Sequence, residues 1–175
     1  SLQLYLTVSR LLTERCQDNM DFEQYADIAE KTGVFRLQEI QVLKEIITDY
    51  SRYPGKNYFF LDEQQNGETA GFVIFGKTPL TEYTWDIYWL VVDPDFRRRG
   101  IAGLLLDRVT QFILEKKERF IIRVETSSSE KYQAARDFYA RKGFIPGGRI
   151  PDFYAKGDDL MIYYLNTGAG EVNCF

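Results

Sequence analysis

The sequence predicts an α/β sandwich, with helices packed against a mixed sheet. Three observations carry this. The run Trp85–Val92 is almost wholly apolar and reads as a strand buried on both faces. After a short polar break, a strongly amphipathic helix spans about Gly100–Lys116, with Ile101, Leu104, Leu105, Val109, Phe112 and Ile113 as its apolar positions. Near Tyr58 the hydrophobic period changes from helical to strand spacing, and strands and helices alternate from there.

Taken in order, the chain opens with an ambiguous stretch to about Gln17 that can hold one extra strand. Phe22, Tyr25, Ile28 and Ala29 recur at helical spacing behind Asp21, and Gly33 is a suitable stop. A second helix spans about Leu37–Tyr50, with Ile40, Leu43, Ile46 and Ile47 on one face. Pro54 and Gly55 mark a loop. Tyr58–Leu61 and Ala70–Phe75 are two strands joined by a turn at Gln65-Asn66-Gly67. Beyond the long helix come a strand at Phe120–Glu125, a helix at Lys131–Lys142 stopped by Gly143, a strand starting at Phe144–Ile145 and broken or bulged at Gly147-Gly148, and a last strand at Leu160–Leu165.

The 175 residues fit one domain, residues 1-175, with a core of about 20-165 and a tail at 166-175. The net charge of -4 argues against a nucleic-acid binder. Histidine is absent, which excludes Ser-His-Asp and Cys-His catalysis and histidine-ligated metals. Cys16 and Cys174 form no CxxC and are expected to be free thiols, so no metal is expected. The apolar runs are too short to span a membrane. The opening SLQLYLTVSRLL lacks a basic leader and a small-residue cleavage site, so a cytoplasmic location is expected.

The functional signal lies at Leu90–Gly103. A buried strand ending in Val91-Val92-Asp93-Pro94 enters a polar loop, and a long helix begins at once. Amides at a helix start lack intrahelical partners and face the positive end of the dipole, so they suit phosphate. Gly100, Ala102 and Gly103 let backbone approach a ligand, and Arg97, Arg98 and Arg99 supply charge for a diphosphate. The bland alternative is a solvated basic loop capping a helix. No GxxxxGK[ST] and no GxGxxG is present, so neither a Walker loop nor a dinucleotide fingerprint fits.

Arg97-x-x-Gly100-x-Ala102 resembles the R/Q-x-x-G-x-G/A signature of the GNAT superfamily of N-acetyltransferases. About 30 residues on, Ala135-Arg-Asp-Phe-Tyr139-Ala-Arg-Lys-Gly143-Phe144 resembles that superfamily's A-x-x-[LF]-Y-x-x-x-G-F helix and turn. The resemblance implies a GNAT-like α/β/α sandwich on a central, mostly antiparallel sheet of six to seven strands. Two parallel central strands, Trp85–Val92 and Phe120–Glu125, would splay at their ends. A bulge near Val91 would free backbone groups of Leu90–Val92 for the pantetheine arm of acetyl-CoA, with the diphosphate on the amides of Arg98–Gly103. Two positions depart from the pattern: Ala102 replaces the second glycine, and Tyr132 stands where the superfamily often has Asn.

Acetyl transfer to an amine is largely a matter of positioning, but a free alkyl amine is protonated near neutrality and must lose that proton. The resemblance makes Tyr139 the donor to the departing thiolate. Its alternative is a core aromatic beside Phe138. Asp86 lies six residues before Val92, where histone acetyltransferases of this superfamily carry a catalytic glutamate, and is the first candidate base. Its alternative is an acid that pins the amine or pairs with an arginine. Glu82 and Glu125 are the reserves. The Val91 or Val92 amide would serve the oxyanion.

The acceptor pocket is expected among the early helices, the segment Thr78–Trp85 and the loop Arg149–Asp159. Glu82, Tyr83, Trp85, Glu125 and Phe153 are its proposed lining, with Phe35 and Tyr154 nearby. Aromatic walls with acids suit a small cationic amine. A protein or peptide acetyltransferase, with an open groove, and a non-catalytic CoA-binding sensor are the alternatives. No nucleic-acid or membrane partner is expected, and a homodimer is left open.

Overall fold

The structure is a computed structural model that describes residues 22–116 and 119–167. The early candidate strand, Asp21, both cysteines and the end of the tail lie outside the described residues. The described elements are α1 (Glu23–Lys31), α2 (Leu37–Arg52), β1 (Phe59–Gln65), β2 (Glu68–Lys77), β3 (Thr84–Val92), α3 (Ile101–Leu114), β4 (Phe120–Ser127), α4 (Gln133–Arg141), β5 (Ile145–Ala155) and β6 (Asp158–Thr167). Short 3-10 turns at Pro94–Phe96 and Glu130–Tyr132 precede α3 and α4. The sheet runs β1-β2-β3-β4-β6-β5, and each neighbouring pair is antiparallel except β3 with β4. This is the α/β/α sandwich the sequence predicts.

Local chemistry accounts for several of these elements. Asn66 and Gly67 both take positive φ, so the β1–β2 hairpin closes through the two-residue turn that matches strand twist. At the start of α2, the Arg36 amide donates to Glu39 Oε2 at 2.7 Å. This satisfies one of the orphan donors at the helix start. On one face of the sheet, Ile101, Leu105, Val109 and Ile113 of α3 pack on Val73, Phe75, Ile87, Ile122 and Val124. On the other, Tyr25 and Ala29 of α1 and Ile40, Leu43 and Ile47 of α2 pack on Phe60, Phe72, Ile74, Trp89 and Val91.

β3 contributes to both cores, and its bulge is the reason. Ile74 pairs with Trp89 but Phe75 pairs with Ile87, which leaves Tyr88 as the extra residue. One inserted residue reverses which side chains face which core. Trp85 and Ile87 therefore belong to the α3 side, whereas Trp89 and Val91 belong to the α1/α2 side. The sequence expectation placed this bulge near Val91. Val91 is instead in register with Phe72, and the irregularity sits three positions earlier.

Beyond the bulge the parallel strands part. β3 and β4 pair only over Thr84–Ile87 and Ile121–Val124. Past those points β3 continues along β2 as far as Val92, and β4 continues along β6 through Ser127. The outer halves are thus held by different neighbours, leaving a gap with strand backbone on both sides.

The segment Arg149–Asp159 differs from the loop expected there. β5 is one 11-residue strand reaching Ala155, with irregularities between Pro146 and Gly148 and between Ile150 and Ala155. The glycine pair bends the strand without ending it, and the turn falls at Lys156-Gly157.

Candidate active site

The loop after β3 is pinned before it reaches α3. The Asp93 amide donates to the Ala70 carbonyl at 3.0 Å. The Asp93 carboxylate accepts from the Asp95 amide at 2.8 Å and from Lys31 Nζ at 2.8 Å. Lys31 also reaches Asp95 at 2.6 Å, and hydrogen bonds from these two acids raise its pKa. Arg99 lies over the Phe96 ring, 5.0 Å from its centroid. Arg98 has φ 62° and Gly100 has φ 80°, the left-handed turn that brings the chain into the helix.

The first intrahelical bond of α3 runs from the Leu104 amide to the Gly100 carbonyl. Gly100 provides no side-chain cap. The amides of Arg98, Arg99, Gly100, Ile101, Ala102 and Gly103 take no partner among the described residues. Arg97, Arg98 and Arg99 are exposed around them, with Arg97 Nη2 donating to the Thr32 carbonyl at 3.4 Å. The residues present therefore fit a diphosphate: six free donors at a positive dipole end, ringed by guanidinium groups. Lys142, from the end of α4, reaches the same edge beside Gly103 and pairs with Asp107 at 2.9 Å. Its place there depends on how α4 packs, which no local motif announces.

β3 and β4, past their last paired residues, also border a pocket lined by Phe35, Arg36, Glu39, Tyr88, Trp89, Glu125, Thr126, Ser127, Tyr132 and Tyr154. Phe35 packs on Trp89 with ring centroids 4.7 Å apart. The Tyr132 hydroxyl donates to the Glu39 carboxylate, 3.1 Å from each oxygen, and ties the turn before α4 to the start of α2. Burial, then the Glu39 charge, pushes the Tyr132 hydroxyl well above its ordinary range. Arg36 pairs with buried Asp158, which also accepts from the Ser127 hydroxyl.

Of the candidate catalytic residues, Tyr139 lies in the α3-side core beside Phe144, 8% exposed. Its hydroxyl takes no hydrogen bond among the described residues. No buried polar side-chain atom there lacks a partner, so this hydroxyl opens onto accessible space. Desolvation pushes its pKa upward, which keeps it protonated.

Asp86 is buried and fully engaged. Thr78 Oγ1 donates to one carboxylate oxygen at 2.7 Å, and Arg123 Nε donates to the other at 2.6 Å. It faces an arginine, not the pocket, so the alternative raised from the sequence is the arrangement observed. Arg123 Nη1 also reaches Glu125 Oε1 at 3.3 Å, and Glu125 stands in the pocket wall just past the last paired residue of β4.

Three proposed lining residues lie away from this pocket. Trp85 lies where β3 and β4 are paired, Glu82 and Tyr83 come just before β3, and Ile121 donates its amide to the Tyr83 carbonyl. Trp85 packs on Phe59, Phe75 and Phe112 in the core, and Tyr83 lies against Arg119. At about 3.3 Å per residue, Trp85 is roughly 10 Å back along the strand from Tyr88. Phe153 is 55% exposed outside the pocket, and its neighbour Tyr154 lines it instead. Strand alternation in a twisted hairpin decides between the two, and the bulged register of β5 hides it from the sequence. Arg36, Glu39, Tyr88, Trp89, Thr126, Ser127 and Tyr132 are the lining residues that sequence reasoning missed.

An uncapped helix start beside a gap between two parallel strands suits a ligand that carries a diphosphate on a long arm. Comparison with known proteins agrees. A family model for the acetyltransferase (GNAT) domain matches residues 54–146. A GNAT-family protein from Desulfovibrio desulfuricans is 31% identical, with 87% of this chain and 96% of that one covered at a TM-score of 0.81. The ribosomal-protein-S18-alanine N-acetyltransferase of Escherichia coli shares the fold at 19% identity, with 90% and 95% covered and a TM-score of 0.68. An aminoglycoside 6'-N-acetyltransferase solved with coenzyme A does so at 14% identity, with 86% and 92% covered and a TM-score of 0.63. No curated protein matches the sequence. The chain belongs to the GNAT acetyltransferase family. It is an acyltransferase.

Proposed function

We propose that this chain acetylates the primary amine of a small cationic molecule, by direct attack in a ternary complex. One observation carries this reading. The gap between β3 and β4 opens into an aromatic-walled pocket with Glu125 on its rim, and the Tyr132–Glu39 hydrogen bond bridges part of its lining. A bridged pocket favours a metabolite over an extended peptide, which needs an open groove.

Acetyl-CoA supplies a thioester, already reactive toward a neutral amine. Amides at Arg98–Gly103 hold the diphosphate, and the unpaired edge of β3 past Ile87 receives the pantetheine arm. Glu125 accepts the ammonium proton, directly or through one water. The freed lone pair forms the new C–N bond as the C–S bond breaks, while a β3 amide stabilises the oxyanion. Tyr139 gives its proton to the departing sulfur, and the second proton that the nitrogen loses on becoming an amide passes through water to reload Tyr139. The products are an acetamide and free CoA thiol.

Asp86 acts through Arg123, holding the guanidinium that steadies Glu125, and is a positioning residue. The test is thiol release from acetyl-CoA across a panel of small amines and N-terminal peptides. Amine-dependent release that is faster for small amines than for peptides supports the reading. Release with peptides alone contradicts it.

A further inference from the structure

The pocket wall carries more negative charge than one ammonium needs. Two ion pairs are already matched: Arg36 with Asp158, and Arg123 with Asp86. Glu39 and Glu125 are the acids of the lining in excess of these two pairs; they come from different elements, and Glu125 shares Arg123 with Asp86. Glu125 is at the open end of β4, where the strands part. Glu39 is on the first turn of α2, at the far side, where Tyr132 and the Arg36 amide fix its carboxylate. A carboxylate offers about four lone-pair sites, so two fixed donors leave Glu39 room to accept from a ligand. Aromatic rings line the same pocket. Phe35 and Trp89 offer aromatic surface that attracts an organic cation or covers a short methylene chain, and the Tyr154 ring already carries the Arg36 guanidinium, 5.6 Å from its centroid. Tyr154 reports the local field: after burial, Glu125, Glu39 and Asp158 all raise its pKa, and Arg36 alone opposes them. Arg136 stands behind the wall on the carbonyls of Ser127 and Ser129.

We infer that the acceptor is a dication: a diamine or polyamine whose reacting nitrogen lies at Glu125 and whose second ammonium, one short aliphatic spacer away, is bound by Glu39. This rests on the transferase reading for the place of the reacting nitrogen. The charge recognition is separable from turnover. Glu39 is then the residue that sets specificity.

The test is calorimetric binding to the CoA-loaded protein, with 1,4-diaminobutane and n-butylamine as probes. A single added ammonium–carboxylate contact across an aromatic wall should tighten the diamine about tenfold over the monoamine. Glu39→Gln keeps the acceptor that caps α2 but removes the charge, and the preference should fall to about twofold or less. Raised salt should weaken the diamine more than the monoamine. Equal affinities in the unaltered protein, or no binding of either amine, overturn the inference. So does a diamine preference that survives Glu39→Gln. A Glu39-dependent preference without thiol release in the parallel turnover assay upholds the dication site and refutes the transferase reading alone.

Discussion

At Tyr139, burial produces both the chemistry and a liability. Removing the ring from water penalises the phenolate, so the hydroxyl stays protonated beyond its ordinary value of 10.0. The consequence for stability has a definite sign. Above pH 10.0 the unfolded chain releases this proton and the folded chain retains it, so the unfolded state binds fewer protons and stability falls as pH rises. Denaturation midpoints should therefore decline above about pH 10, and Tyr139→Phe should shallow that decline. The same substitution should lower kcat while CoA affinity by calorimetry changes little. An unaltered rate would leave Tyr139 with a packing role only.

The two carboxylates on the parallel strands separate the same way. Glu125→Gln removes the proposed proton acceptor and should lower kcat by about 10²–10⁴. Asp86→Asn leaves that acceptor in place and loosens only its arginine, so a smaller loss is expected. Steady-state kinetics on the pair decides the matter: a larger loss at Asp86 returns the base to that residue. The offset of Asp86 from Val92 was legible in the sequence, but Arg123, one strand away, was not recognisable as its partner. Register between parallel strands is a tertiary fact, and it turned the first candidate base into half of an ion pair.

Among the elements, the turn from β3 into α3 was the most legible. Its function resides in consecutive backbone amides and in residues that permit close approach, and both are written contiguously at Arg97–Gly103. Gly100 at φ 80° has no Cβ to strain. Gly100→Ala should cost about 1–2 kcal/mol by chemical denaturation, because an L side chain resists that conformation. Gly100→Glu or Arg99→Glu brings a carboxylate to the free amides and should abolish CoA binding by calorimetry. The acceptor pocket was far less legible. Its walls come from α2, β3, β4, the turn before α4 and the β5–β6 hairpin. The bulge at Tyr88 then decides which residues of β3 face it. Trp85 lies outside it for a different reason: it sits roughly 10 Å back along β3, where the strands are paired. Glu125, which the sequence also named, lines this pocket because it lies just past the last β4 residue paired with β3.

For the whole molecule, two cores on opposite faces share one sheet, and β3 belongs to both. The α3 core holds the cradle to the sheet, through Leu105 and Val109 with no exposed surface. The α1/α2 core holds Phe35 and Glu39 over the pocket through Trp89 and Val91. The proposed donor and acceptor sites therefore sit on different layers and would meet where β3 and β4 separate. Leu105→Ala should cost about 2–5 kcal/mol by denaturant unfolding, as a fully buried leucine does. The separation itself is best tested by a crystal structure with coenzyme A. Diphosphate oxygens should lie within hydrogen-bond distance of the amides of Arg98–Gly103, and the pantetheine arm should run between β3 and β4 past Ile87 and Val124. Coenzyme A bound elsewhere on the protein, or β3 and β4 zipped together along their outer halves in that complex, would contradict it.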